Sequence, residues 1–224
     1  MRIDPAGWPF VLGGLTVALL SWLTGGPIFA LIFGVVTLFF LFFFRDPERQ
    51  HSAADWAVVS PADGRVMVAG DPTGTPPPGT PRQITIFLSP MDVHVNRMPV
   101  SGRVAAVKYH PGRFLPAYRA EAGDLNEYTE VTIDHDGQRV VIRQIVGILA
   151  RRIVCRVQEG DIVKAGGRFG VMKFGSRMDV FLPPGSAIQT HVGAKVVGGV
   201  TVIATLAPHG AGVRHGDPGL PRRS

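Results

Sequence analysis

From residue 5 to residue 44 the chain runs 40 positions without Asp, Glu, Lys or Arg, and 8 of its 13 Phe fall inside that window. No soluble surface helix is built this way, because it would have no polar face to turn to water. Thr24-Gly25-Gly26-Pro27 interrupts the window with a breaker cluster that ends one helix and starts another. The two segments, roughly 10–23 and 28–44, stand against the about 17–25 apolar residues that a spanning helix needs. The first is short and the second marginal, so the window predicts a helical hairpin that spans the bilayer or dips into it. A cleavable signal peptide fits less well, since the n-region is weak and no A-x-A site precedes the second segment. Arg45-Asp46-Pro47-Glu48-Arg49 ends the window sharply. Arg45 and Arg49 are expected at the headgroups, on the cytoplasmic side by the positive-inside tendency.

Beyond residue 50 the apolar period changes to two. Short runs rich in Val, Ile and Thr at 56–60, 65–69, 84–88, 104–108, 130–134 and 139–143 read as strands, and Asp136-Gly137 is a two-residue hairpin signal. Residues 71–82 form a Pro/Gly-rich loop, and 208–224 a polar tail expected to be disordered. The organisation expected is a membrane-associating hairpin with its basic flank (1–49), a β domain (50–207) and the tail. Two echoes run through the β region. Pro61-Ala62-Asp63-Gly64-Arg65-Val66 returns as Pro99-Val100-Ser101-Gly102-Arg103-Val104, and Gly160-Asp161-Ile162-Val163-Lys164-Ala165-Gly166 as Gly193-Ala194-Lys195-Val196-Val197-Gly198-Gly199. Each keeps a turn glycine and a β-branched residue entering a strand, so the fold expected is mainly β, a compact sandwich or barrel-like domain with repeated hairpins.

Charge and cysteine content narrow the function. The formal net charge is +6, and residues 45–224 hold 38 of the 40 charged side chains. A basic balance suits nucleic acid or an anionic bilayer; beside the apolar window the bilayer suffices, and no nucleic-acid partner is expected. Cys155 is the only cysteine, which excludes a disulfide framework and a Cys-pair zinc site. The seven His are scattered without metal-ligand spacing, so no metal is expected.

The second echo pair resembles the sandwich of biotinyl and lipoyl carrier domains, with Met172-Lys173 in the place of their modified lysine. One reading is therefore a membrane-tethered carrier modified at Lys173. The other starts from Gly175-Ser176. Glycine and serine pair in many turns, but Ser89-Pro90-Met91-Asp92-Val93-His94-Val95-Asn96-Arg97 concentrates Asp, His, Asn and Arg, and Ser60-Pro61-Ala62-Asp63-Gly64 adds a carboxylate at a turn. Together with Lys173-Phe174-Gly175-Ser176-Arg177, and with Gln144-Ile145-Val146-Gly147 and Ala150-Arg151-Arg152-Ile153, these segments resemble the phosphatidylserine decarboxylases. The match is to their short form, which lacks a long amino-terminal extension, and it runs from about residue 43 to about residue 206.

The resemblance implies an enzyme that makes its own electrophile. Ser176 would attack the carbonyl of Gly175, and elimination and hydrolysis would leave a pyruvoyl group on residue 176. A β chain of residues 1–175 and an α chain of 176–224 would result, held as a heterodimer. The pyruvoyl carbonyl would form a Schiff base with the amine of phosphatidylserine and act as the electron sink for decarboxylation to phosphatidylethanolamine. His94 is the candidate base and acid, its ordinary pKa lying near working pH. Asp63 would orient it. Longer bacterial members carry a second His three positions after the first. Here that position is Arg97, which leaves the base for self-cleavage open and makes Arg97 a candidate for the substrate phosphate or carboxylate. Asn96 and Lys173 are further candidates for binding substrate. The partners implied are phosphatidylserine and membrane lipids, at the cell membrane. The lipid backbone is left open.

Overall fold

A computed structural model of the chain describes residues 2–50, 54–148, 152–173 and 175–207. The expected tail, His51 and Phe174 lie outside the described residues. Helices α1 (Trp8–Leu23) and α2 (Pro27–Phe43) pack as a hairpin, each with a proline in its first turn. Both are apolar all round, and Leu12, Leu20, Trp22, Phe29, Leu31 and Leu38 stand exposed. A 3-10 turn at Pro5–Gly7, capped by Asp4 accepting from the Ala6 N–H at 2.9 Å, extends the first helix. Pro5–Leu23 thereby reaches 19 residues, long and apolar enough to cross a membrane, whereas α2 has 17. The sequence suggested the opposite ranking, because the cap before the first segment adds a turn that its periodicity does not reveal.

The strands are β1 (Arg2–Ile3), β2 (Arg45–Asp46), β3 (Ala57–Val59), β4 (Gly64–Gly70), β5 (Arg82–Leu88), β6 (Val95–Arg97), β7 (Gly102–His110) and β8 (Tyr128–His135). They continue as β9 (Gln138–Ile145), β10 (Ile153–Cys155), β11 (Ile162–Val163), β12 (Arg168–Met172), β13 (Ser176–Leu182), β14 (Ala187–Ile188), β15 (Lys195–Val196) and β16 (Val202–Thr205). All six runs expected from the period-two pattern are strands, and Asp136-Gly137 joins β8 to β9 with both residues at positive φ. Eight strands form one antiparallel sheet in the order β11-β7-β8-β9-β13-β5-β4-β15, with smaller sheets β10-β12-β6 and β14-β16-β3. Alternate residues of the large sheet, among them Ile84, Ile86, Ile142, Met178 and Val180, meet Phe169, Met172, Val58 and Ile203 of the small sheets in one buried core. The domain is mainly β, in two layers.

The echoes occupy opposite ends of the large sheet. Gly64 (φ 155°) starts β4, and a Cβ there would run into the carbonyl of Phe87; Gly102 (φ 149°) starts β7, and a Cβ there would run into the carbonyl of Asp134. Two residues on, each strand shifts register, after Val66 and after Val104. Val66 exchanges backbone hydrogen bonds with Ala194 and Gly193, and Val104 with Asp161 and Gly160. The two echo pairs thus combine into one unit used twice, β4 with β15 and β7 with β11.

The division drawn at residue 49 is crossed by many bonds. Asp4, 2% exposed, pairs with Arg156 through contacts of 2.6 and 2.9 Å. Asp46 pairs with Arg97 at 3.2 Å and with Arg168 at 2.5 Å. Arg49 clamps Asp63 at 2.6 and 2.8 Å, so it does not lie out at the headgroups as expected. Breaking one partner of such a buried pair costs about 3–5 kcal/mol. The hairpin base is part of the β domain.

Candidate active site

β12 ends at Met172 and β13 begins at Ser176, and the turn between them carries Gly175 at φ +63°, a conformation open to glycine at little cost. The Gly175 carbonyl lies against the bare Cα of Gly147, where a Cβ would collide with it. Ser176 is paired with Leu88 of β5 and is fully buried. Its Oγ has no hydrogen-bond partner among the described residues. A buried hydroxyl without a partner costs about 1–3 kcal/mol, an expense that a purely structural position would avoid. A cleft of about 390 Å³ opens onto Gly175, walled by Phe87, Pro90, Pro116, Ala117, Tyr118 and Ile148.

His94 flanks the same turn. Its carbonyl accepts from the Met172 N–H at 3.3 Å, and it stands six residues after Leu88. The Ser89-to-Asp92 turn explains its orientation. The Asp92 carboxylate accepts from the Ser89 N–H at 2.8 Å, which aims the Asp92 carbonyl at His94 Nδ1, 3.0 Å away. A carbonyl only accepts, so Nδ1 carries the proton and Nε2 the lone pair. Nε2 is buried without a hydrogen-bond partner among the described residues, so it and Ser176 Oγ do not bond to one another here. The ring packs on Phe43, the last residue of α2, with centroids 4.1 Å apart. Burial pushes the His94 pKa down to about 4, with Arg45 adding to the shift and the Asp92 carbonyl and the Asp63 charge opposing it. The expectation of a pKa near working pH is corrected: desolvation outweighs the nearby carboxylate.

The other expected site residues are distributed differently. Asp63 does not hydrogen-bond His94; Arg49 and the Gly198 N–H (2.8 Å) take its carboxylate, and it reaches the imidazole only through its field. Arg97 is 3% exposed and is committed to Asp46, to the Pro47 carbonyl at 2.8 Å and to the Gly166 carbonyl at 3.0 Å. It latches the hairpin base and does not face the turn at Ser176. Asn96 is fully buried in the strand after His94. Lys173 is half-buried, with Nζ 4.8 Å from the Phe10 ring and 6.0 Å from the Phe44 ring, and burial lowers its pKa. A carrier lysine has to stand exposed at a hairpin tip, so this packing removes the carrier reading. The sequence reading missed Asp92 as the residue that aims His94, although Ser-Pro-x-Asp is a turn signal. It also missed Arg177, whose buried guanidinium binds Asp179 at 2.7 and 2.9 Å and props the loop at the Arg119 carbonyl, 3.3 Å away.

The turn carries a glycine carbonyl next to a buried serine hydroxyl that has no partner among the described residues, and an imidazole with an unprotonated Nε2 flanks it. It suits attack of the hydroxyl on the adjacent carbonyl. Residues 36–204 match the family model described as phosphatidylserine decarboxylase. The chain is 45% identical over 212 residues to the phosphatidylserine decarboxylase proenzyme of Granulibacter bethesdensis, covering 91% of this chain and 85% of the relative. It is 43% identical over 214 residues to the proenzyme of that name from Nitratidesulfovibrio vulgaris, covering 94% and 98%.

Proposed function

The chain belongs to the phosphatidylserine decarboxylase family, and on that footing we propose that it converts phosphatidylserine to phosphatidylethanolamine and CO₂ through a pyruvoyl group made from its own Ser176. The observation that carries this reading is the turn itself: Gly175 at positive φ, its carbonyl backed by Gly147, beside a buried Ser176 Oγ with no partner. The residues fit the group, since a carbonyl at position 176 would begin the central strand β13 with the cleft before it.

His94 Nε2 takes the proton of Ser176 as Oγ attacks the Gly175 carbonyl and the acyl group moves from nitrogen to oxygen. Elimination breaks the Cβ–O bond, releasing the Gly175 carboxylate and leaving dehydroalanine at 176; water then displaces ammonia to give the pyruvoyl end. The pyruvoyl carbonyl supplies an electron sink for the pair left when CO₂ departs. His94, uncharged with a pKa of about 4, is a weak base but, once protonated, a strong acid, suited to returning a proton to carbon. Asp63 stabilises that protonated state through space, Lys173 beside the turn receives the lipid phosphate, and the apolar cleft admits the lipid. The hairpin holds the enzyme at the membrane, with the catalytic domain on the cytoplasmic side.

A denaturing gel tests the mechanism. The wild type should show two chains, the small one about 5 kDa from the mean residue mass of this protein, while Ser176→Ala should stay whole and inactive. A wild-type chain that remains whole yet decarboxylates the lipid would sink it.

A further inference from the structure

Among the described residues, four of the buried polar atoms without partners belong to β9, β13, β6 and the residue that leads into β6: Gln144 Oε1, Ser176 Oγ, Asn96 Nδ2 and His94 Nε2. Gln144 lies directly across from Met178 in the β9–β13 ladder, so its side chain shares the inner face with Met178 and, one pleat on, with Ser176. It reaches across the core to the small sheet, where its Nε2 donates to Asn96 Oδ1 at 2.8 Å. Gly170, the ladder partner of Asn96, lies beside that reach: a Cβ there would run into the Val154 carbonyl and sit 2.7 Å from Gln144 Nε2. Its φ is not in the left-handed region, so the glycine is demanded by space and not by backbone geometry.

Both residues of this pair are fully buried. With Gln144 Nε2 donating to Asn96 Oδ1, the amide nitrogen of Asn96 and the carbonyl oxygen of Gln144 are left without partners among the described residues. An apolar core has no use for such a remainder, and filling it requires a ligand that accepts and donates from neighbouring atoms. We propose, building on the decarboxylase reading above, that the Asn96–Gln144 pair is the head-selecting subsite for an α-amino acid head. The free N–H of Asn96 donates to the carboxylate, the free carbonyl of Gln144 accepts from the nitrogen proton, and Gln144 is the residue that fixes the orientation of Asn96. A neutral donor is the right strength for this task. A guanidinium would hold the ground-state carboxylate too well and oppose its loss as CO₂, and Arg97, the nearby cation in sequence, is bound elsewhere.

The test uses the full-length chain in detergent micelles. Cyanoborohydride fixes a lipid amine to the small chain, and intact mass reads the adduct for phosphatidylserine and for phosphatidylethanolamine, which has the amine but no carboxylate. Asn96→Leu, Gln144→Met and Asn96→Asp should each yield two chains on a gel and label with phosphatidylethanolamine. Their preference for phosphatidylserine should fall roughly tenfold or more, the effect of one hydrogen bond to a charged group. Asn96→Asp keeps the size of the side chain and the acceptor for Gln144 while losing the free donor, and so serves if the other variants do not fold. Cleaved variants with a wild-type preference would overturn the subsite while leaving the pyruvoyl reading intact. Failure of all three to cleave would also overturn it, because the pair would then serve self-cleavage. A wild type that neither cleaves nor labels would instead fail the decarboxylase reading.

Discussion

The two ends of the large sheet share a backbone plan and differ in charge at the residue before the strand glycine. Before Gly102 stands Ser101, whose Oγ accepts from the Ala165 N–H at 3.0 Å; before Gly64 stands Asp63, whose carboxylate accepts from the Gly198 N–H at 2.8 Å. The fold therefore asks only for an acceptor at this position, and a serine meets the request. The carboxylate at the other end does something more. It binds Arg49 below the hairpin and raises the proton affinity of His94. A duplicated unit thus separates what the architecture needs from what the site needs.

Exchanging the two residues is the sharpest way to break the comparison. Asp63→Ser keeps the acceptor but strands Arg49, so it should lose about 3–5 kcal/mol in urea unfolding and, where folded, lower decarboxylation by a hundredfold or more, in the range of a lost acid–base partner; unchanged turnover would reduce Asp63 to its acceptor role. Next in size, Gly64→Ala and Gly102→Ala should each cost roughly 2–4 kcal/mol in urea unfolding, since a Cβ meets a carbonyl and φ is unfavourable at both. A large inequality between the two would break the equivalence. His94 sets a pH signature on the Asp63 end alone. Its folded pKa of about 4 lies below the ordinary 6.5, so the unfolded chain binds more protons between those values. Stability present above pH 6.5 should fall by on the order of 3 kcal/mol as pH drops to 4. Thermal melts should show that slope in the wild type and a flatter one in His94→Gln. The smallest effect belongs to Ser101→Asp, which should leave turnover unchanged and alter stability by less than about 1 kcal/mol.

The echoes, the strands β3, β4, β5, β7, β8 and β9, and the hairpin were legible because each obeys a local rule of period, glycine placement or length. β13 was not. Ser176, Met178, Val180 and Leu182 face the core, but Arg177 and Asp179 alternate with them and look like a solvent face. Only their mutual ion pair, with Thr85 and Gln83 bonded to Asp179, lets that face be buried too. Strands of two residues such as β11 and β15 exist through their partners and carry no period of their own. At the candidate site, Ser176 and His94 were legible as residue types in turns. The clamp of Arg49 on Asp63 and the reach of Gln144 to Asn96 were not, for they join residues 14 and 48 positions apart in sequence through contacts that no local spacing encodes.

The placement of β13 bears on what the proposed cut after Gly175 would leave. The small chain contributes β13 between β9 and β5, β15 to the edge at β4, and β14 and β16 beside β3. Its hydrogen bonds are interleaved with those of the large chain in two sheets. Such processing would change the molecularity of unfolding: the precursor can unfold and refold as one molecule, while the cut protein would come apart into two and lose the covalent tether that guides them back. Maturation is in this sense a ratchet, with folding preceding the cut and the cut making the fold a one-time event.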